Sequence, residues 1–198
     1  SADDCFLAKF SGSGNVIWST YVGGNATDYI YDILLDGESN IMICGQTLST
    51  NSISVPDAFQ PVKNPTIAYD AFFAKYTSGG TKLIGSYFGN TGEDYGRGIS
   101  LDNNNRLYLC GESTSTIGLT TNGAHQEYSG GSQDGFLVKF CLSPKPSISP
   151  AGTPSLCLND TWTLTASPGY NSYFWNIGST SNSIVIGSLL PGTYYYDV

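Results

Sequence analysis

The feature that most constrains this chain is that it repeats itself. Asp4-Cys5-Phe6-Leu7-Ala8-Lys9-Phe10 returns 66 residues later as Asp70-Ala71-Phe72-Phe73-Ala74-Lys75-Tyr76, and after a further 64 as Asp134-Gly135-Phe136-Leu137-Val138-Lys139-Phe140. Between these copies Tyr21, Gly23, Asp28, Asp36, Cys44, Gly45, Ala58 and Gln60 fall on Tyr87, Gly89, Asp94, Asp102, Cys110, Gly111, Ala124 and Gln126. Units of this length that recur in order bury their faces against one another, so the chain folds as a stacked or radial array and not as one irregular core.

The repeated runs are short and strand-like. In one repeat, 29–36 alternates in polarity, turns at Gly37-Glu38-Ser39-Asn40 and returns over 41–46, which makes a hairpin. A long polar insertion at 47–69 leads to the Asp-x-Phe-x-x-Lys strand ending at Tyr76, a turn at Ser78-Gly79-Gly80, and a strand over 82–88. Four antiparallel strands and a loop back to the start describe a propeller blade. Composition agrees: 24 Gly, 14 Tyr and 12% charged residues in 198 belong to an all-β chain with many tight turns, long enough for one large or two small domains.

Charge and cysteine usage remove several function classes. A net charge of −8 argues against nucleic acid, which demands clustered Lys and Arg. No apolar run approaches the roughly 20 residues that span a bilayer, and Ser1-Ala2-Asp3-Asp4 is not a signal peptide, so the expectation is a removed signal or an internal piece of a longer chain. Cys5, Cys44, Cys110, Cys141 and Cys157 include no C-x-x-C pair, and His125 is the only histidine, so no zinc pattern exists. Cys44 and Cys110 end matching apolar runs and read as small core residues. The odd count leaves at least one cysteine unpaired, and Cys157 is the one expected to lack a partner.

These residues resemble the bacterial SBBP β-propeller repeat, whose pattern looks like Asp-Ala-Phe-x-x-Lys-Phe, a Gly turn, Trp-x-Thr-Tyr-x-Gly-Gly, a spacer to Asp, then Asp-x-x-x-Asn-x-x-x-x-Gly. The match runs through Asp4 to Phe10, Trp18-Ser19-Thr20-Tyr21-Val22-Gly23-Gly24, Asp28, and Asp36 through Asn40 to Gly45, while the second copy departs at Gly85 and Asn90. The resemblance covers about residues 4–140. It implies that the Asp-turn-Asn hairpins form the inner strands, so that 29–35 and 97–101 are innermost. The chain then opens with the two outer strands of one blade, contains a whole blade and ends with three strands of another. Two repeats are too few for a ring of about four to eight blades, which predicts further blades upstream.

Beyond Phe140 the pattern changes. The expected organisation is propeller blades over 1–142, a Pro/Ser-rich linker over 143–154 and a β-sandwich over 155–198. Its strands are read at Trp162-Thr163-Leu164-Thr165-Ala166, Tyr173-Phe174-Trp175-Asn176, Ser183-Ile184-Val185-Ile186 and 192–198. The stretch resembles the Ig-like or PKD-like modules of Bacteroidetes surface proteins. That resemblance implies a partner for Cys157 in a last strand beyond Val198, hence a C-terminally incomplete module. The fold class is therefore all-β: a partial β-propeller of about two four-stranded repeats plus a truncated Ig-like sandwich.

Catalytic chemistry finds little support. A Ser/His/Asp set would need His125, which sits where the other repeat has Phe59 and reads as a loop or packing residue; no Gly-x-Ser-x-Gly elbow exists. Asp28, Glu93 and Asp94 suit a carboxylate pair for glycoside hydrolysis, yet Asp28 and Asp94 are repeat-equivalent, which favours turn capping. Asp102-Asn103-Asn104-Asn105 lacks the Gly and distal Glu of a calcium loop and matches the hairpin turn after Asp36. No catalytic residue, metal or cofactor is assigned.

Long loops that are not linkers are often functional. The loops at 47–69 and 113–133 emerge on the same blade face as the segments carrying Asp28, Glu93 and Asp94. Asp28, Phe59, Tyr69, Glu93, Asp94, Arg97 and Tyr128 are accordingly the candidate partner-binding residues. The expected function is a non-catalytic secreted or cell-surface interaction protein, not itself membrane-spanning, with a protein or glycan partner. The resemblance implies an exoprotein of the type IX secretion route, an adhesin or a component associated with an outer-membrane secretion or gliding complex. The alternative is a glycan-active or glycan-binding exoenzyme with its catalytic residues in other blades.

Overall fold

A computed structural model describes residues 2–127, 129–142, 148–149, 161–166, 173–175 and 177–187. The chain divides into two compact units, Ser1–Leu142 and Ser143–Val198. The described residues are all-β, with no helix.

The described residues of the first unit form nine strands in three antiparallel sheets. Strands β1 (Cys5–Phe10) and β2 (Val16–Val22) pair alone; β3 (Asp28–Leu35), β4 (Ile41–Thr47), β5 (Asp70–Tyr76) and β6 (Lys82–Phe88) form a four-stranded meander; β7 (Asp94–Leu101), β8 (Arg106–Ser113) and β9 (Asp134–Cys141) form a three-stranded one. This is a partial propeller: two outer strands, one whole blade and three strands of another. The strands expected to be innermost, β3 and β7, begin earlier than expected, at Asp28 and Asp94. The register also corrects the position where the second copy departs from the repeat pattern. Lys9 pairs with Trp18 and Lys75 with Ile84, so Ile84 takes the tryptophan's place. At the neighbouring Gly85, a Cβ would collide with the Ile53 carbonyl.

Alternation along the middle blade places one apolar set on each face. Ile41, Ile43, Phe72, Ala74, Tyr76 and Tyr87 close against Leu7 and Val22 of the β1–β2 pair. Met42, Cys44, Ala71, Phe73 and Phe88 close against Ile99, Leu107, Leu109 and Phe140 of the β7–β9 sheet. A strand with both faces covered has no polar side, which is why every residue of β4 is buried. Asp32 adds a polar latch between the blades, its Oδ2 accepting the Ile99 amide at 2.9 Å.

The two flanking sheets show what one uncovered face among the described residues does to the same sequence. Tyr87 is 0% exposed, whereas its repeat counterpart Tyr21 is 82% exposed; Phe73 is 2% exposed and its counterpart Leu137 is 73%. Cys44 is buried as expected from its apolar run, but Cys110 is exposed, because the β8 face that carries it has no sheet against it among the described residues.

The inner hairpins are closed by their own aspartates. Asp36 Oδ1 accepts the amides of Glu38 (2.9 Å) and Asn40 (2.8 Å), and Asp102 Oδ1 those of Asn104 (2.8 Å) and Arg106 (3.0 Å). The residues that reverse the chain, Ser39 and Asn105, take φ of 63° and 57°. Burial by itself raises the Asp36 carboxyl, but Lys75 at 2.8 Å and the Asn40 and Glu38 donors outweigh it and hold the pKa at about 2. Asp102 Oδ2 accepts the Tyr108 hydroxyl of β8 at 3.5 Å.

In the second unit β10 (Ile148–Ser149), β11 (Thr161–Ala166) and β12 (Ser183–Gly187) form one antiparallel sheet. Leu164, Ala166, Ile184 and Ile186 pack on Trp175, whose Nε1 donates to the Ser181 carbonyl at 2.8 Å. Residues 173–175, read from sequence as a strand, are not one. A tight turn follows instead, with the Trp175 amide donating to the Ser179 carbonyl and the Gly178 amide to the Trp175 carbonyl. Cys157, residues 192–198 and most of the 143–154 linker lie outside the described residues.

A candidate binding site at the inner strands

Each inner hairpin of the first unit carries one extra residue. The β3–β4 register shifts between Ile30 and Asp32, and the β7–β8 register between Gly96 and Gly98, so Tyr31 and Arg97 are bulge residues at equivalent positions of adjacent blades. A bulge bends its strand and re-aims a side chain. The partner strand must then come close, and Gly45 and Gly111 provide the room: a Cβ on either would run into the carbonyl oxygen of Tyr29 or Tyr95.

The two re-aimed side chains meet. The Arg97 guanidinium carbon lies 4.5 Å from the Tyr31 ring centroid and 4.8 Å from that of Tyr95. Glu112 Oε1 accepts its Nε at 2.8 Å and its Nη2 at 2.5 Å. Burial lowers the guanidinium's affinity for its proton, but the Glu112 carboxylate more than offsets this, and the pKa is raised. Tyr29 extends the cluster, 6.4 Å from Tyr31 and 6.3 Å from Tyr69, and Tyr69 lies 6.1 Å from Tyr95. Four tilted tyrosine rings and one stacked arginine thus form a patch across the seam of two blades. Tyr29, Tyr31 and Arg97 are exposed; Tyr69 and Tyr95 are half-buried. Glu93 borders it, with Oε2 accepting the Tyr69 amide at 2.8 Å. Burial first, then neighbouring acids and phenols including Glu93, raise the pKa of Tyr69 and Tyr95, which keeps both phenols neutral.

Of the residues proposed from sequence, Tyr69, Glu93 and Arg97 come together here. Asp28 and Asp94 do not belong to a ligand surface, because both are buried. Asp28 accepts hydrogen bonds from the Thr47 hydroxyl, from Ser49 Oγ at 2.7 Å and from the Gly24 amide at 2.9 Å. Asp94 repeats the arrangement with the Ser113 hydroxyl, Ser115 Oγ at 3.0 Å and the Asn90 amide at 2.8 Å. Each carboxylate fastens the interblade loop to the end of its own blade. Phe59 joins a different cluster, 5.3 Å from Phe140 and 6.3 Å from Phe88. Tyr128 lies outside the described residues.

Sequence reasoning missed Tyr29, Tyr31, Tyr95 and Glu112. The signal was Gly45 and Gly111, single glycines inside strands at matching repeat positions, which point to bulges opposite them.

The carboxylates offer no obvious acid/base pair. Burial pushes Asp70 up to about 6 despite Lys63 Nζ at 3.6 Å, and burial also raises Asp94. The Asp70 value suits proton transfer, but Asp70 is sealed under the 48–69 loop, its Oδ2 accepting the Asn64 amide at 3.1 Å and Gln60 Nε2 at 3.3 Å. Among the described residues no three His, Cys, Asp or Glu side chains are placed to hold a metal ion, and no helix is long and apolar enough to cross a membrane.

The SBBP β-propeller repeat family matches residues 17–51, the segment from β2 through the first inner hairpin. An uncharacterized WD repeat-containing protein of Acanthamoeba polyphaga mimivirus is 22% identical over 118 residues, covering 55% of this chain and 8% of that protein. The chain therefore spans less than a tenth of that relative's length.

Proposed function

We propose that this chain is a non-catalytic interaction scaffold, secreted or held at the cell surface, whose stacked blades present the Tyr29, Tyr31, Tyr69, Tyr95 and Arg97 patch to a partner. One observation carries this reading: unlike residues, Tyr31 and Arg97, occupy equivalent bulges and reach the surface together, while the repeat-equivalent carboxylates are buried in hydrogen bonds. Chemistry specific to one seam has to come from positions that differ between repeats. Likeness to propeller and WD repeats supports a scaffold role. An adhesin, or a component associated with an outer-membrane secretion complex, is the setting that suits an acidic all-β chain of this kind.

The reading is tested by binding of the fluorescently labelled chain to envelopes of its source cells. The expected result is saturable binding that a Tyr29→Ala/Tyr31→Ala pair reduces by about tenfold or more, while Phe6→Ala/Tyr21→Ala, on another exposed aromatic face, leaves it unchanged. Equal binding by both variants overturns the assignment of the patch, and release of reducing sugar from the envelopes by the purified chain favours the glycan-active alternative.

A further inference from the structure

Resting on that reading, we propose that the tyrosine patch binds a neutral carbohydrate, stacking one face of a pyranose ring on Tyr29 and Tyr31 and hydrogen-bonding its hydroxyls to the phenols and to the rim of the Arg97–Glu112 pair. The geometry separates this ligand class from charged ones. An aromatic cage for an ammonium or guanidinium ligand encloses the cation between ring faces set apart. Here the neighbouring rings stand 6.1 to 6.4 Å apart at tilts of 35° to 47°, leaving no slot between them. The one gap between ring faces, from Tyr31 to Tyr95, is already filled by Arg97.

An anionic ligand fares no better. Arg97 is the patch's only cation, both its Nε and Nη2 are taken by Glu112, Glu93 stands at the border, and the whole chain carries a net charge of −8. What is left exposed is aromatic carbon with neutral hydroxyls and a charge-compensated ion pair. A sugar ring has the matching make-up, an apolar C–H face edged by hydroxyls that both donate and accept. Tyrosine presents such area at low conformational cost, with two side-chain torsions to fix.

The test is isothermal titration of the whole chain with neutral tetrasaccharides built from glucose, mannose, xylose and N-acetylglucosamine, beside tetragalacturonate and an oligolysine of similar length. The expected result is binding of at least one neutral sugar, unaffected by raising NaCl from about 50 to about 500 mM because no charge pairing is involved. Tyr29→Ala should weaken it by about tenfold, whereas Tyr29→Phe, which keeps the ring, should weaken it by about threefold or less. Thermal melting of each variant separates lost binding from lost fold, and Tyr29 is the residue substituted because it takes no part in clasping Arg97. Failure of all four neutral sugars to bind, tighter binding of either charged probe, or an undiminished Tyr29→Ala variant overturns the proposal. Should envelope binding depend on the patch while no neutral sugar binds, the ligand is a protein and the scaffold reading stands alone; should neither occur, both fall.

Discussion

Replacing Phe72 by Ala is expected to destabilise the first unit by about 3–5 kcal/mol, whereas Phe6→Ala changes stability by no more than about 0.5 kcal/mol. The two phenylalanines are the same residue of the same repeat motif. Phe72 is 0% exposed, packed with Leu7, Ile43 and Tyr87; Phe6 is 69% exposed on the far side of its two-stranded sheet. Truncating Phe72 removes a full ring from a core that cannot collapse, because rigid strands hold both of its walls, while truncating Phe6 removes a ring already in water. Urea unfolding of the two variants beside the parent chain measures the difference. Equal losses would show that the two sheets do not stack on each other as described.

Removing the Asp28 carboxylate is expected to cost about 3–5 kcal/mol of stability, since hydrogen bonds to a charged acceptor contribute about 1.5–3 kcal/mol each and do not fully add. Asp28→Ala takes the acceptor from the Thr47 hydroxyl and the Gly24 amide and leaves the Ser49 hydroxyl only its bonds to the Ala26 backbone. The effect also has a location: the loop to the blade, residues 23–27, should lose amide protection first. Ligand binding is the discriminating readout. If Asp28→Ala leaves the melting temperature unchanged but abolishes binding, the carboxylate is a surface contact and its assignment to the interior is wrong.

The repeat made most of the first unit legible before any coordinates. Asp4, Asp70 and Asp134 stand at or beside the start of matching strands, and the Asp36 and Asp102 turns could be read from residue type, because such positions depend on local backbone chemistry. Environment was not legible in the same way. Cys44 and Cys110 look identical in sequence, and what decides which is buried is that, among the described residues, a sheet covers one and none covers the other. The binding patch was half legible. Tyr69, Glu93 and Arg97 could be picked out with the loops and interblade segments of one blade face, but a one-residue bulge decides which way Tyr31 and Arg97 point, and alternation rules assign such residues to the wrong face. Asp28 and Asp94 misled for the opposite reason, since a buried aspartate that clasps a loop and an exposed one that binds a ligand are written with the same letter.

Blade stacking is the claim on which the burial, the seam and the patch all depend, and the paired cysteines report on it directly. Burial, with the Asp32 carboxylate adding to it, pushes the Cys44 thiol up to about 12, and its side chain is shut between two sheets; Cys110, at the matching place in the next repeat, is open to solvent. The measurement is maleimide labelling of the native chain at neutral pH, followed by peptide mass spectrometry over time. The expected result is rapid modification of Cys110 and Cys141, with Cys44 modified only under denaturant. Modification of Cys44 at the rate of Cys110 in the native chain would contradict the stacked arrangement.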